Sequence, residues 1–214
     1  MHIERLQLGP MANFVYLLHA DQAPGLVVVD PAWQPEALLA RAEQLQLPIT
    51  DIVLTHHHAD HRNGVEALLA QGDVRVHVQA SERAWLDSLG WHGHVTWHHS
   101  GDVLQVGRDT LTLVHTPGHT PGSQCILAGD AILTGDTLFI DGCGRCDLPG
   151  GDPQVLFHSL HRTLGAVPAQ TRVLPGHDYA PQPEATLDEQ RVQNPYLRLH
   201  NMADFVAYRM RPRK

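Results

Sequence analysis

Short apolar runs, each closed by Gly, Pro, Asp or Asn, punctuate the chain. The runs at 14–18, 26–29, 52–54, 74–78 and 172–174 predict buried strands. Two further pairs, 103–106 with 110–115 and 123–127 with 131–133, predict β-pairs. Between the runs, apolar residues recur every three or four positions. That spacing predicts helices over 33–47, 81–89, 153–164, 184–193 and 202–210, with another beginning at 64–69. In the first of these, Pro35 stands near the start, and Ala37, Leu38, Ala40, Ala42 and Leu45 supply an apolar face. Residues 210–214 read as a loose basic tail. Strands and helices alternate, with β-pairs in the middle, which predicts an α/β protein in layers. No low-complexity linker or internal repeat breaks the pattern. One domain over 1–214 is expected, with a short helical C-terminal segment at about 184–210.

Composition narrows the function. The chain is 43% hydrophobic and 18% charged, as a globular fold requires, and its net charge is -8. Phosphate binding relies on excess Lys and Arg, so a nucleic-acid partner is not expected. The apolar run at 25–29 is far too short to span a bilayer, and residues 1–20 lack a basic start followed by an apolar stretch. No membrane association and a cytoplasmic location are therefore expected. Three cysteines cannot form a disulfide framework. The outlier is histidine: 17 residues, against 15 Lys and Arg together.

Spacing separates metal ligation from mere polar surface. The run at 52–54 leads into Thr55-His56-His57-His58-Ala59-Asp60-His61. On an extended segment alternate side chains point the same way, so His56 and His58 can grip one metal, while His57 points away and is excluded. Asp60 and His61 follow after the chain turns. Further ligand-type residues stand where strands run into loops: His119 in Thr116-Pro117-Gly118-His119-Thr120-Pro121-Gly122, Asp136 in Leu133-Thr134-Gly135-Asp136-Thr137, and His177 in Leu174-Pro175-Gly176-His177-Asp178-Tyr179. Neutral imidazole and carboxylate suit Zn²⁺ or iron.

These motifs, in this order, resemble the metallo-β-lactamase superfamily from about Asn13 to Arg198. The resemblance implies a four-layer αβ/βα sandwich with a dinuclear metal site at one edge. By that pattern His56, His58 and His119 hold one metal, Asp60, His61 and His177 hold the other, and Asp136 bridges them. Paired metals of this kind lower the pKa of bound water from about 15.7 to about 7, which supplies a hydroxide nucleophile. Asp60 would orient or deprotonate it.

Within the superfamily, Asp136 and the Asp60-His61 pair argue against a true β-lactamase, which carries a cysteine at the second site. The short, acidic chain argues against the nuclease branches. Gly135-Asp136-Thr137-Leu138-Phe139, followed by Gly142-Cys143-Gly144-Arg145, resembles glyoxalase II, the hydroxyacylglutathione hydrolase. The chain stops too soon after His177 for that family's longer helical C-terminal domain. Cys143-Gly144-Arg145-Cys146-Asp147, His177-Asp178-Tyr179 and Glu189-Gln190-Arg191 before Asn194-Pro195 resemble persulfide dioxygenase, where Fe(II) sits on a face that would here be His56, His119 and Asp136. The expected activity is thioester hydrolysis with two divalent metals, zinc before iron. An Fe(II)-dependent glutathione persulfide dioxygenase is the alternative. Either takes a small-molecule substrate, a glutathione conjugate by resemblance, with Arg145, Tyr179 and Cys143 as candidate substrate contacts.

Other residues have plainer readings beside functional ones. Arg145 either anchors a carboxylate or pairs with Asp147 or Asp141. Cys143 and Cys146 have Cys-X-X-Cys spacing but lack the rest of a zinc or redox motif, so they read as loop residues. Trp91, His92, His94, Trp97, His98 and His99 read as a solvated loop with two packing tryptophans. His158 and His161 read as an exposed helix face. Asp30 reads either as support for the metal histidines or as a turn former.

Overall fold

The computed structural model describes residues 1–212; positions 213 and 214 of the expected basic tail lie outside the described residues. The first half of the chain builds one six-stranded sheet. Its strands are β1 (His2–Leu8), β2 (Asn13–His19), β3 (Leu26–Val29), β4 (Ile49–Val53), β5 (Arg75–Gln79) and β6 (Val95–His98), in that spatial order. β1 to β3 pair antiparallel and β3 to β6 pair parallel. Parallel neighbours need crossovers. These contain α1 (Pro35–Leu45), then α2 (Ala59–Arg62) and α3 (Val65–Leu69), then α4 (Arg83–Leu86).

The second half builds a matching sheet from β7 (Val103–Val106), β8 (Asp109–His115), β9 (Gln124–Ala128) and β10 (Ala131–Gly135), with a small hairpin of β11 (Leu138–Phe139) and β12 (Gly142–Cys143) beyond it. Helix α5 (Pro153–His158) carries the chain to β13 (Arg172–Pro175), which pairs parallel with β10. β14 (Ala185–Thr186), α6 (Leu187–Gln193) and α7 (Met202–Arg209) follow. The sheet order is β14-β13-β10-β9-β8-β7.

Alternation along the strands sets the layers. Tyr16, Leu18, Val27 and Val29 face Leu111, Leu113, Ile126, Leu133 and Leu174 between the sheets. Their neighbours Val15, Leu17, Leu26 and Val28 face the other way, against Leu38, Leu68 and Leu86 of the helices. On the far side Ile132 and Val173 pack against Leu156, Leu187 and Phe205. The result is the expected four-layer αβ/βα sandwich. Among the described residues no helix is long and apolar enough to cross a membrane.

Some local expectations change. The stretch around Trp97 is not a solvated loop: 95–98 is an edge strand pairing with β5, and Trp91 and His98 are buried. Pairing to a distant strand supplies what the local sequence does not signal. The helix expected over 153–164 is α-helical only to His158. It then widens into a π turn over Ser159–Thr163, where Ser159 donates to the Pro117 carbonyl at 2.6 Å. His158 and His161 are half-buried rather than exposed, with His161 against Phe157 (4.3 Å between ring centroids). The segment 184–193 begins as β14, and α6 starts only at a capping box formed by Thr186 and Glu189. Thr186→Ala should cost about 1 kcal/mol, and thermal melting should show this as a fall of about 2–4 °C. An unchanged melting temperature would show that the cap does not hold α6.

Candidate metal centre

The centre forms at one edge of the sandwich, where the loops after β4, β8, β10 and β13 meet. His56, His58, Asp60 and His61 leave β4; His119 follows β8; Asp136 follows β10; His177 follows β13. All seven ligand-type residues singled out in the sequence converge. The ligand atoms of His56, His58 and His119 lie within 4.8 Å of one another, as do those of Asp60, His61 and His177. Asp136 stands between the sets: Oδ2 is 3.5 Å from His119 Nε2, and Oδ1 is 3.3 Å from His61 Nε2 and 3.4 Å from His177 Nε2.

Outer hydrogen bonds fix which nitrogen each ring turns inward. His177 Nδ1 donates to the Met11 carbonyl at 2.9 Å, and His119 Nδ1 donates to the Arg145 carbonyl at 2.7 Å. A carbonyl can only accept, so each Nε2 keeps its lone pair for the centre when the ring is neutral. His61 Nδ1 donates to Asp30 Oδ2 at 2.9 Å. The Thr55 hydroxyl donates to the same carboxylate at 2.6 Å and accepts from His56 Nδ1 at 3.0 Å. Asp30 therefore serves both readings of the sequence: it supports two of the histidines and also turns the chain, at φ 52°.

This arrangement fits a cation. His61 Nε2 and His177 Nε2 approach to 3.1 Å, and His119 Nε2 and His58 Nδ1 to 3.0 Å. Lone pairs that converge so closely repel unless positive charge lies between them. His56 Nε2 is buried and meets no hydrogen-bond partner among the described residues. Burial pushes the His56 basicity down, reinforced by His61, and pushes His58 down to about 3. Burial opposes protonation of His61 as well, but Asp136 and Asp30 on its two sides raise it well above the ordinary range. Burial would raise Asp136; His61, His119 and His177 instead hold it well below the ordinary carboxylate range.

Glycines let the loops approach. A Cβ on Gly144 would fall 1.9 Å from the Asp136 carbonyl and 2.9 Å from His119 Nδ1; one on Gly176 would fall 2.7 Å from Asp136 Oδ1. Three supporting residues carried no sequence signal. Asn13 Nδ2 donates to Asp60 Oδ2 at 3.1 Å. Fully buried Glu82 accepts from His57 Nδ1, from the Thr120 hydroxyl and from Gly122 N. Buried Arg209 on α7 donates to the Gly144 carbonyl at 2.8 Å. His57 is turned away from the ligands, as expected, and stacks on Trp85 at 4.5 Å.

The expected substrate contacts divide. A cleft of about 380 Å³ opens over His58, Asp60, His119, Asp136 and His177, and Arg145 and Tyr179 line it. Arg145 also forms a two-pronged pair with Asp147, at 2.7 and 2.8 Å. Cys143 does not line the cleft. It is buried in the core with Leu138 and Ile140. Cys146 is buried too, and burial pushes its thiol up to about 12, so it is no thiolate at neutral pH.

Residues 8–177 match the family described as the Metallo-beta-lactamase superfamily. The chain belongs to this superfamily. It is 28% identical to the probable polyketide biosynthesis zinc-dependent hydrolase BaeB of Bacillus velezensis, over 94% of this chain and 88% of that protein. It is 36% identical to the hydroxyacylglutathione hydrolase of Shewanella loihica, over 78% of this chain and 62% of that protein. The crystal structure of ETHE1 from Myxococcus xanthus superposes with a TM-score of 0.88 at 29% identity, covering 100% of this chain and 93% of that one. With the His-rich centre, these likenesses mark the chain as a metal-dependent hydrolase of the superfamily.

Proposed function

We propose that the chain hydrolyses thioesters with two divalent metal ions, zinc before iron. His56, His58 and His119 hold one ion; Asp60, His61 and His177 hold the other; Asp136 links them. The observation that carries this reading is the placement of Asp136, with one oxygen toward each histidine set. A single-metal face of His56, His119 and Asp136 would leave four further convergent residues, His58, Asp60, His61 and His177, without a task. When bound, the metals supply a hydroxide nucleophile near neutral pH and stabilise the developing oxyanion.

The chain's own groups do the rest. Asn13 fixes the Asp60 carboxylate beside His61 and His177, each Nε2 lying 3.5 Å from Asp60 Oδ2. There Asp60 takes the proton of the attacking water and returns it to the leaving thiolate. The water oxygen bonds to the acyl carbon as the acyl–sulfur bond breaks, giving a thiol and a carboxylic acid that ionises by releasing its remaining proton to solvent. Arg145 and Tyr179 at the rim position the substrate. Resemblance to hydroxyacylglutathione hydrolase and BaeB supports hydrolysis; likeness to ETHE1 favours the second reading, an iron-dependent persulfide dioxygenase.

Metal analysis and two assays separate them. Two metal equivalents, turnover of a panel of acyl thioesters and no oxygen uptake are expected. Rapid oxygen uptake by iron-loaded protein given glutathione persulfide, lost in His119→Ala, would replace the hydrolase reading with the dioxygenase.

A further inference from the structure

Beyond its metal-facing groups, the cleft wall is Met11, Phe139, Leu148, Tyr179 and Arg145, with Ala59 at the floor. The apolar members come from four separate segments: the β1–β2 turn, β11, the loop after β12 and the loop after β13. Tyr179 lies flat on His177, with ring centroids 4.6 Å apart, and sets its ring against the edge of Phe139 at 5.4 Å. These rings form an apolar plate beside the second histidine set.

The surroundings extend it. Met11, Trp33, Trp85 and Tyr179 are four of the seven exposed large hydrophobic residues among the described positions. Trp33 Nε1 donates to Asn13, which holds Asp60, and Trp85 stacks on His57, between two metal-facing histidines. Of the four, Met11 and Tyr179 line the cleft itself, and exposed apolar surface at a cleft marks a binding surface.

Charge is scarce there. Arg145 is the only Lys or Arg among the described lining residues, and Asp147 occupies two of its donor nitrogens. A ligand carrying carboxylates, as glutathione does, would meet an Arg145 whose charge is already shared with Asp147, in a chain of net charge -8.

From the apolar plate, the exposed Met11 and Tyr179 in the cleft wall and the single cation already paired with Asp147, we infer that the cleft selects an uncharged apolar acyl group, alkyl or aryl, and does not depend on a glutathione moiety. This rests on the reading of the site as a thioester hydrolase.

The test uses zinc-loaded full-length protein. Straight-chain carboxylates from acetate to octanoate are titrated by calorimetry, and N-acetylcysteamine thioesters of the same acids are assayed beside S-lactoylglutathione. Each added methylene should tighten carboxylate binding and raise kcat/KM about two- to fourfold until the cleft is filled. Octanoyl thioester should outrun S-lactoylglutathione. Met11→Asp, at an exposed position, should flatten the carboxylate series while leaving circular dichroism and zinc content unchanged. A flat series in the wild-type protein, or preference for S-lactoylglutathione, would overturn the inference. A steep carboxylate series with no thioester turnover would sustain the apolar cleft and overturn only the hydrolase reading.

Discussion

Asp136→Ala should lower thioester turnover by on the order of 10³-fold or more and leave the protein unable to hold both metals. The carboxylate is the one group that faces both histidine sets, 3.3 to 3.5 Å from His61, His177 and His119. On the proposed two-metal reading, its removal would take the carboxylate that lies between the two histidine sets. The fold should survive, because Asp136 lies past the end of β10, while the core contacts of this segment come from Ile132 and Leu133. The pull of Asp136 toward a protonated His61 should also go, leaving that of Asp30. Asp136→Asn keeps the shape and one oxygen but not the charge, so it should fold normally and bind metal weakly. Metal content by mass spectrometry, read beside kcat, checks both variants. Full activity with two metals in Asp136→Ala would refute the assignment of the centre.

The convergence of the candidate ligands was legible because each sits in a short local pattern that needs no knowledge of the fold. Extended geometry alone brings His56 and His58 to one side and sends His57 away, and the structure keeps that arrangement. His119, Asp136 and His177 each follow a strand that the apolar runs already marked. The supporting groups were not legible, because their meaning lies in a partner far along the chain. Asn13 reaches Asp60 across 47 positions, and Glu82 reaches Thr120 across 38. Arg209 fell within the expected helix over 202–210 with nothing to mark it; its side chain is buried and ties α7 to the loop whose Arg145 carbonyl orients His119. Cys143 shows the opposite error. Its motif suggested a place at the substrate, but pairing of β12 with β11 turns it into the core. The edge strands β1 and β6 escaped detection for a related reason. Most of β1 is only half-buried, so its apolar alternation is weak, and β6 owes its form to pairing with β5.

Glu82→Ala should be the most damaging change outside the ligands themselves. Glu82 is fully buried and joins two candidate ligand loops: His57, between His56 and His58, and Thr120 and Gly122, just after His119. Its loss leaves His57 Nδ1, the Thr120 hydroxyl and Gly122 N without this acceptor. At about 1–3 kcal/mol for each buried group left unsatisfied, partly relieved by water and by Ser123, the net cost should be on the order of 3–5 kcal/mol. Differential scanning calorimetry should show a fall of roughly 10 °C in Tm. Metal affinity should drop about 10- to 100-fold, as for other groups that orient ligands without touching the metal. Glu82→Gln retains one acceptor oxygen and should recover much of the stability and part of the affinity. The indole of Trp85 stacks on His57, so the fluorescence of this region should change when His57 is released. A merely structural role would lower Tm in the alanine variant while leaving its zinc dissociation constant unchanged, measured at a temperature where it is fully folded. That outcome would remove Glu82 from the metal centre and leave it as a core residue alone.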